Sequence, residues 1–124
     1  MDFKELIVYQ KAFKLAMDIF EVSKSFPKEE TYSLTNQIRR SSQSTCTNIA
    51  EAYRKRHYPK HILSKRTGSG GENSETASWL DFAHACKYIE RNTHQKYFIE
   101  RAEIGELLNY MMKNPDKFGS SRVL

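Results

Sequence analysis

Residues 34 to 56 carry small and apolar side chains at helical spacing, and this stretch constrains the fold most. On a wheel of roughly 100° per residue, six side chains fall within one narrow stripe. They are Leu34, Ile38, Ser41, Thr45, Ile49 and Ala52. The centre of the stripe is small, which predicts that a neighbouring helix approaches closely there. Hydroxyls buried in that contact need partners, most simply carbonyls one turn back.

Apolar periodicity divides the whole chain into four predicted helices joined by short turns. Their approximate bounds are residues 5 to 25, 29 to 56, 59 to 90 and 94 to 113, followed by a tail at 116 to 124. A chain of 124 residues fits one domain with its own core, and no repeat or linker divides it. The sequence therefore predicts a single all-α domain over residues 1 to 124, an antiparallel up-down-up-down four-helix bundle.

Several predicted helix ends rest on local signals. Phe26-Pro27 ends the first helix, because proline cannot continue the hydrogen-bond ladder. Lys28-Glu29-Glu30 opens the second helix with acids near its positive end. Pro59 suits the first position of the third helix, and Thr93 is the predicted cap of the fourth. The second helix is expected to continue through Ser41 to Asn48, although intrinsic helix propensity is low there.

Residues 67 to 71, Thr-Gly-Ser-Gly-Gly, fall inside the predicted third helix. The favoured interpretation is a close helix crossing or a kink within a continuous helix. A flexible interruption is the open alternative, because each helical glycine costs nearly 1 kcal/mol. A phosphate-binding loop is disfavoured, since the preceding strand and the Lys-Ser/Thr ending of a P-loop are missing.

The first helix carries two apolar stripes, centred roughly 120° apart. One consists of Val8, Ala12, Leu15, Ile19 and Val22, and the other of Leu6, Tyr9, Phe13, Ala16 and Phe20. A corner helix of a lone bundle normally needs one broad stripe, so the aromatic stripe predicts a further contact, such as another subunit. The alternative is that both stripes line a generous internal core.

Six of the chain's 20 Lys and Arg residues lie between positions 54 and 66, where no Asp or Glu occurs. They are Arg54, Lys55, Arg56, Lys60, Lys65 and Arg66. The rest of the chain has 14 bases against 15 acids, so this segment supplies the whole positive excess of the net charge of +5. Such a cluster favours RNA, DNA or an anionic surface as partner. The alternative is a solvated hairpin that keeps the protein soluble.

Arg39 and Arg40 are two further candidates for nucleic-acid contact, because guanidinium groups match the geometry of phosphate. In the alternative interpretation, at least one of them pairs with Glu51, Glu72 or Glu75 on a neighbouring helix or subunit. We favour ion pairing for at least one of these arginines.

No constellation in the sequence predicts catalysis, a metal or a cofactor. His57 and His61 are four residues apart, but Pro59 lies between them and no ligand set is complete. Glu72 and Glu75 lack an associated histidine or nucleophile, so ion pairing is the expected role of these acids. We therefore expect a protein that is not an enzyme and binds neither cofactor nor metal.

The sequence predicts a cytoplasmic protein without a membrane segment. No run approaches 18 apolar residues, and the charged N-terminus lacks the apolar stretch of a signal peptide. Cys46 and Cys86 both fall within helical patterns and are expected to be reduced thiols.

The stretch Gln37-Ile-Arg-Arg-Ser-Ser-x-Ser-x-x-x-Asn-Ile-Ala-Glu51 resembles the signature of a family of small four-helix-bundle proteins. These proteins are encoded within intervening sequences of bacterial 23S rRNA genes. Leu6-Ile-Val-Tyr-Gln-Lys-Ala12, Phe26-Pro27 with Glu30, and Gly68-Ser69 followed by Glu72 resemble the family's other landmarks, in the same order.

The sequence departs from the family pattern in two places. The family commonly has Gly where this chain has Ala52, and Gly70 and Gly71 make the third helix unusually glycine-rich. Neither departure removes a catalytic group, because the family is not known for one.

The resemblance implies a non-enzymatic bundle that binds structured RNA or other nucleic acid. The accessory variability determinant of diversity-generating retroelements is similar in fold. That likeness implies cyclic homopentamers with a basic channel or rim, and binding to nucleic acid and a reverse transcriptase. Affinity would then come from phosphates, with little base readout. The alternative is a protein-interaction scaffold, for example a partner of a reverse transcriptase, without intrinsic nucleic-acid binding.

Overall fold

The computed structural model describes residues 2–56 and 59–114, and their side chains except those of 59–67. The described residues form four α-helices and no strand, so the predicted all-α class is confirmed. The helices are α1 (Ile7–Ser23), α2 (Leu34–Arg54), α3 (Pro59–Ala85) and α4 (Arg91–Lys113), with short 3-10 helices at Phe3–Glu5 and Lys28–Glu30. The predicted tail at 116 to 124 lies outside the described residues.

Helix α1 is shorter than predicted at both ends. The backbone of Leu6 is extended, with φ −68° and ψ 129°, so the α-helix begins only at Ile7. At its other end α1 stops at Ser23, and the chain continues in turns towards Phe26. Lys24, Ser25 and Phe26 donate backbone hydrogen bonds only three residues back, which is the spacing of turns rather than of an α-helix.

Helix α2 begins at Leu34, later than the predicted residue 29. Lys28–Glu30 forms a separate 3-10 helix, and Ser33 has a non-helical backbone with φ −120° and ψ −104°. Glu30 accepts side-chain hydrogen bonds from Ser33 Oγ and from Tyr88 Oη. The acid therefore stabilises the connection before α2 instead of opening the helix. From Leu34 onward, α2 is continuous through Ser41 to Asn48, as predicted.

The small stripe of α2 is buried along its whole length and faces α3. Ser41 Oγ and Thr76 Oγ1 share a hydrogen bond of 2.8 Å, and Ser69 Oγ donates to Thr45 O over 3.4 Å. Thr45 Oγ1 donates to Ser41 O one turn back, over 2.9 Å. The predicted close approach and the predicted carbonyl partners are both confirmed.

Helix α3 passes through its glycine-rich stretch without a break, so the flexible interruption is wrong. A Cβ on Gly68 would lie 3.5 Å from Asn48 Nδ2, which places this glycine at the crossing with α2. On α4, a Cβ on Gly105 would lie only 3.3 Å from Asn73 Nδ2. Asn73 Nδ2 also donates to Arg101 O over 3.1 Å, so small residues and one amide join α3 to α4.

Helix α3 ends at Ala85, not at residue 90, because Lys87 adopts a left-handed backbone with φ 64°. Tyr88 N–H donates to Ala83 O and Lys87 N–H donates to His84 O, each over 2.9 Å. This pair of bonds is the Schellman arrangement that closes a helix C-terminus. Helix α4 then begins at Arg91, so the cap predicted at Thr93 is wrong and Glu90 precedes the helix.

Side chains from all four helices form the core. Among the described side chains, those buried on α3 are Ser69, Asn73, Thr76, Leu80 and Ala83, and those buried on α4 are Tyr97, Ile104, Leu108 and Met111. Phe82, near the end of α3, and Cys86, just after it, are exposed. Both stripes of α1 contribute to the core, through Val8, Ala12, Leu15 and Ile19 and through Leu6 and Ala16. None of the described helices is long and apolar enough to cross a membrane.

Candidate nucleic-acid interface

The basic segment 54–66, called the basic hairpin below, runs from the end of α2 into the start of α3. The structure describes three of its six basic side chains, Arg54, Lys55 and Arg56. The predicted contacts Lys60, Lys65 and Arg66 have side chains outside the described residues. The side chains of the two histidines considered for a metal site, His57 and His61, are outside them as well.

Arg54 and Lys55 converge on the carboxylate of Glu51. Arg54 Nη1 lies 3.6 Å from Glu51 Oε2, and Lys55 Nζ lies 3.2 Å from Glu51 Oε1. The Arg54 side chain is 70% exposed. Solvent-exposed ion pairs contribute little free energy, so both cations remain able to exchange this carboxylate for a phosphate.

Arg56 is held more firmly than its two neighbours. Its guanidinium carbon lies 4.1 Å from the centroid of the Tyr53 ring, and Nη1 donates to Tyr53 O over 2.9 Å. Cation–π contact and the backbone hydrogen bond fix the guanidinium plane beside the end of α2. Tyr53 and Glu51 also belong to this surface and were not predicted there. The signal was their three-residue spacing from Arg56 and Arg54, which brings side chains together on a helix.

Arg39 contacts α1 rather than solvent alone. Its Nε donates to Ser23 Oγ over 2.7 Å, and Nη2 donates to Phe20 O over 3.4 Å. The guanidinium also lies 4.6 Å from the centroid of the Phe20 ring. These three contacts join α2 to the last turn of α1. The predicted phosphate contact of Arg39 remains a prediction, and it would have to compete with them.

Arg40 makes the ion pairs expected in the structural alternative. Its Nη2 lies 3.3 Å from Glu75 Oε1, and its Nη1 lies 3.9 Å from Glu72 Oε1. Burial raises the pKa of Glu72, the adjacent Glu75 carboxylate raises it further, and Arg40 opposes both effects. Two acids thus share one guanidinium, and Glu72 Oε2 is buried without a hydrogen-bond partner. A phosphate contact by Arg40 also remains a prediction.

The aromatic stripe of α1 is divided between core and surface. Leu6 and Ala16 are buried, whereas Phe13 is 52% exposed and the neighbouring Met17 is also exposed. The rings of Tyr9 and Phe13 stack with centroids 6.1 Å apart. The internal-core alternative therefore accounts for only part of this stripe, and its exposed part is available for another contact.

Comparisons with known proteins place this geometry in context. A family model described as "23S rRNA-intervening sequence protein" matches residues 4–110. A crystal structure from Bacteroides thetaiotaomicron VPI-5482 is similar, with a TM-score of 0.80 and 27% sequence identity over 89% of this chain and 98% of the other. That protein is described as having unknown function and as coming from the S23 ribosomal protein family. No curated protein matches the chain.

Proposed function

Since the chain belongs to the 23S rRNA-intervening sequence protein family, we propose that it is a non-enzymatic helical bundle that binds structured RNA or another nucleic acid. The observation that carries the proposal is the basic hairpin, with six bases and no acid in 13 consecutive positions, 54–66. The exposed side chain of Arg54 supports this assignment, and so does the weak surface pairing of Arg54 and Lys55 with Glu51. The free Cys46 and Cys86 agree with a cytoplasmic setting.

Binding through this hairpin would be driven mainly by phosphates. Lys and Arg that neutralise phosphates release condensed counterions, so affinity falls steeply with salt concentration. The described side chains of the hairpin, Arg54, Lys55 and Arg56, are all cationic and therefore suit phosphates. The proposed recognition is therefore of the shape and charge of a folded RNA rather than of its sequence.

We also infer that the four helices follow one another up and down. Contacts between α2 and α3 join Thr45 with Ser69 and Ser41 with Thr76. The residue number rises along one helix as it falls along the other, which is the pattern of antiparallel helices. Contacts between α1 and α4 follow the same rule. Lys11 pairs with Glu103, and Tyr97 Oη donates to Asp18 O. This arrangement is typical of bundles with short connections.

A second copy of the chain is the proposed partner of the exposed part of α1. Phe13 and Met17 form an apolar surface that water solvates poorly, and burying them against another subunit would remove that cost. A closed ring would bring several basic hairpins close together and so strengthen the local positive potential. The cyclic pentamer implied by the family resemblance is the ring size we propose.

Charge reversal of the hairpin tests the proposed function. The triple variant Arg54→Glu, Lys55→Glu and Arg56→Glu is titrated with labelled structured RNA at several salt concentrations. The matched control reverses the exposed lysines Lys28, Lys96 and Lys113, which changes the net charge equally. We expect the hairpin variant to lose affinity and most of the salt dependence, and the control to keep both. Equal affinity of the two variants would contradict the proposal.

The exposed aromatic surface favours one alternative function, a protein-interaction scaffold in which the basic hairpin contacts an acidic protein such as a reverse transcriptase. Nuclease treatment distinguishes the two functions. A partner recovered with the tagged protein after complete RNA and DNA digestion would support the scaffold. Loss of every partner on digestion would support nucleic-acid binding.

A further inference from the structure

A cleft of about 470 Å³ lies between the last turn of α3 and the first turns of α4. Its lining residues are His84, Arg91, His94, Gln95, Phe98 and Ile99. Helix α3 has 27 residues, so at 1.5 Å per residue this cleft is about 40 Å from the end of α3 that belongs to the basic hairpin. It is therefore a separate surface.

Three aromatic rings follow one another along this cleft, and the first two are stacked. The His84 and His94 rings are nearly parallel, with an interplanar angle of 16° and centroids 4.6 Å apart. The Phe98 ring follows His94 at 6.4 Å and 33°. His94 Nε2 lies 2.8 Å from Asp81 Oδ1, and this hydrogen bond fixes the middle ring to α3. The stack is thus held in place before any ligand arrives.

The Phe98 end of the row of rings is partly exposed, and arginines lie beside the cleft. Phe98 is 48% exposed and Ile99 is 58% exposed. The guanidinium of Arg101 lies 5.3 Å from the centroid of the Phe98 ring, and Arg91 is exposed at the start of α4. Asp81 is the carboxylate in contact with the stack, and His94 already occupies one of its oxygens. An aromatic surface flanked by arginines suits a flat neutral ring that is attached to an anionic group.

We propose that this cleft captures one unpaired base of a single-stranded nucleic-acid segment, with the base stacked beside Phe98 and its phosphate next to Arg91. Proteins bind unstacked bases on Phe, Tyr, Trp and His side chains and on Arg planes, which are the groups present here. A metal ion is a poorer occupant, because no group of three His, Cys, Asp or Glu residues able to hold one occurs in the described part of the chain.

The proposal deepens the proposed function, because it takes nucleic acid as the ligand, but it assigns a different surface and a different kind of contact. The basic hairpin would hold phosphates of a folded RNA, and the cleft would hold a base that the fold leaves unpaired. Stacking on an aromatic ring tolerates any base, so little sequence preference is expected. The salt dependence of stacking is also weaker than that of phosphate binding.

A fluorescent adenine analogue in a short single-stranded RNA reports stacking directly, through quenching on binding. We expect the wild-type protein to quench it. Phe98→Ala should weaken the quenching association about 5- to 100-fold, the loss typical of one base–aromatic stack. Phe82→Ala is the matched control, since Phe82 on α3 is exposed to a similar extent, 55%, and lies outside the cleft. Circular dichroism checks that each variant is folded.

Arg91→Ser provides a second test that changes only an exposed side chain. It should weaken the same quenching association, and it keeps the proposal testable if Phe98→Ala fails to fold. Equal quenching by wild type, Phe98→Ala and Arg91→Ser would overturn the proposal. An equal loss in Phe82→Ala would overturn it too. A duplex carrying the same analogue should be quenched much less, because its base is not available for stacking.

Further experiments distinguish a free nucleotide from a nucleic-acid strand as the ligand of the cleft. They also distinguish binding by the cleft from binding by the basic hairpin. Quenching of the free nucleoside monophosphate as strong as that of the strand would overturn the assignment to a nucleic-acid chain and indicate a nucleotide site. The charge-reversed hairpin variant should still quench the single strand at low salt. If it does so while its affinity for structured RNA is also unchanged, the proposed function fails and the cleft stands. If its RNA affinity is lost and no protein shows cleft-dependent quenching, the cleft fails and the proposed function stands.

Discussion

The hydroxyls of Ser41 and Thr76 share a 2.8 Å hydrogen bond in the contact between α2 and α3. Both side chains are fully buried, and Thr76 Oγ1 donates to Glu72 O over 2.9 Å, so Ser41 Oγ is the donor in the shared bond. Because small residues let the two helices approach closely, the hydroxyls can bond directly across the interface. A buried polar pair of this kind also opposes a shift in register, since a shift would break the hydrogen bond between the two helices.

A double-mutant cycle on this pair should show favourable coupling. We expect Ser41→Ala and Thr76→Val each to lower the free energy of unfolding by about 1 kcal/mol. The double variant should lose less than the sum of the two, because no hydroxyl is left without its partner. Urea unfolding gives the three values, and Thr47→Val on the exposed side of α2 serves as control. Strictly additive losses would show that the hydroxyl pair contributes no coupling.

A glycine at position 87 should stabilise the protein. Lys87 has φ 64°, a left-handed conformation that costs a residue with a Cβ about 1–2 kcal/mol and costs glycine little. Allowing for the greater unfolded-state entropy of glycine, we expect Lys87→Gly to raise the free energy of unfolding by about 0.5–1 kcal/mol. Lys87→Ala removes the side chain but keeps the Cβ, so it should give no such gain. Equal effects of the two substitutions on thermal unfolding would contradict the backbone explanation.

Periodicity was sufficient to predict the four helices and the buried stripe of α2, because both depend on spacing along one helix. The helix ends were less predictable. The start of α2 depends on the hydrogen bond from Tyr88 to Glu30, which joins positions 58 residues apart. The end of α3 depends on a left-handed residue, and the sequence has Lys87 there instead of the glycine that normally marks such a position. Neither the Tyr88–Glu30 hydrogen bond nor the left-handed conformation of Lys87 can be recognised from the neighbouring residues in the sequence.

Alkaline pH should weaken the protein partly through Tyr88. Its hydrogen bond to Glu30, with burial and the negative charge of Glu30, raises the pKa of Tyr88 from 10.0 to about 12. The folded state therefore holds this proton more tightly than the unfolded state. The contribution of this proton to the free energy of unfolding is complete below pH 10 and is lost as pH rises towards about 12.

Tyr88→Phe should consequently be less stable than wild type at neutral pH, and the difference should shrink over this alkaline range. Thermal unfolding of both proteins from about pH 9 to about pH 12 measures this difference in stability. Tyr32→Phe is the control, because the Tyr32 side chain is 91% exposed. A gap between Tyr88→Phe and wild type that stays constant over this range would contradict the role of the Tyr88 proton.

The candidate interface could be predicted only in part. The charge cluster at 54–66 is visible in the sequence, because it needs only a count of bases and acids. The contacts of Arg39 with Ser23 and Phe20 are not visible, since they depend on how α2 crosses the last turn of α1. The stack of His84 and His94 was missed for the same reason, as its two members lie on different helices.

Arg39 should matter more for stability than for nucleic-acid affinity. Arg39→Lys keeps the charge but loses the Nε donor to Ser23 Oγ and the planar contact with Phe20. We expect it to lower the free energy of unfolding by about 1 kcal/mol and to leave RNA affinity unchanged. Arg40→Lys, on an exposed ion pair, should change stability little. Weaker RNA binding by Arg39→Lys at unchanged stability would assign this arginine to the interface instead.

The exposed part of α1 should control assembly. Phe13 is 52% exposed and stacks on Tyr9, and a buried glutamate in its place would leave an unpaired charge at any contact between copies. We expect Phe13→Glu to shift the mass measured by light scattering from an oligomer towards the 14.5 kDa monomer. Ile99→Glu, at a similarly exposed site on α4, should leave the mass unchanged. A wild-type mass of 14.5 kDa at high concentration would contradict assembly, and an equal effect of both variants would contradict the assignment to α1.

Because a ring gathers several basic hairpins, dissociation by Phe13→Glu should also weaken RNA binding although the hairpin itself is unaltered.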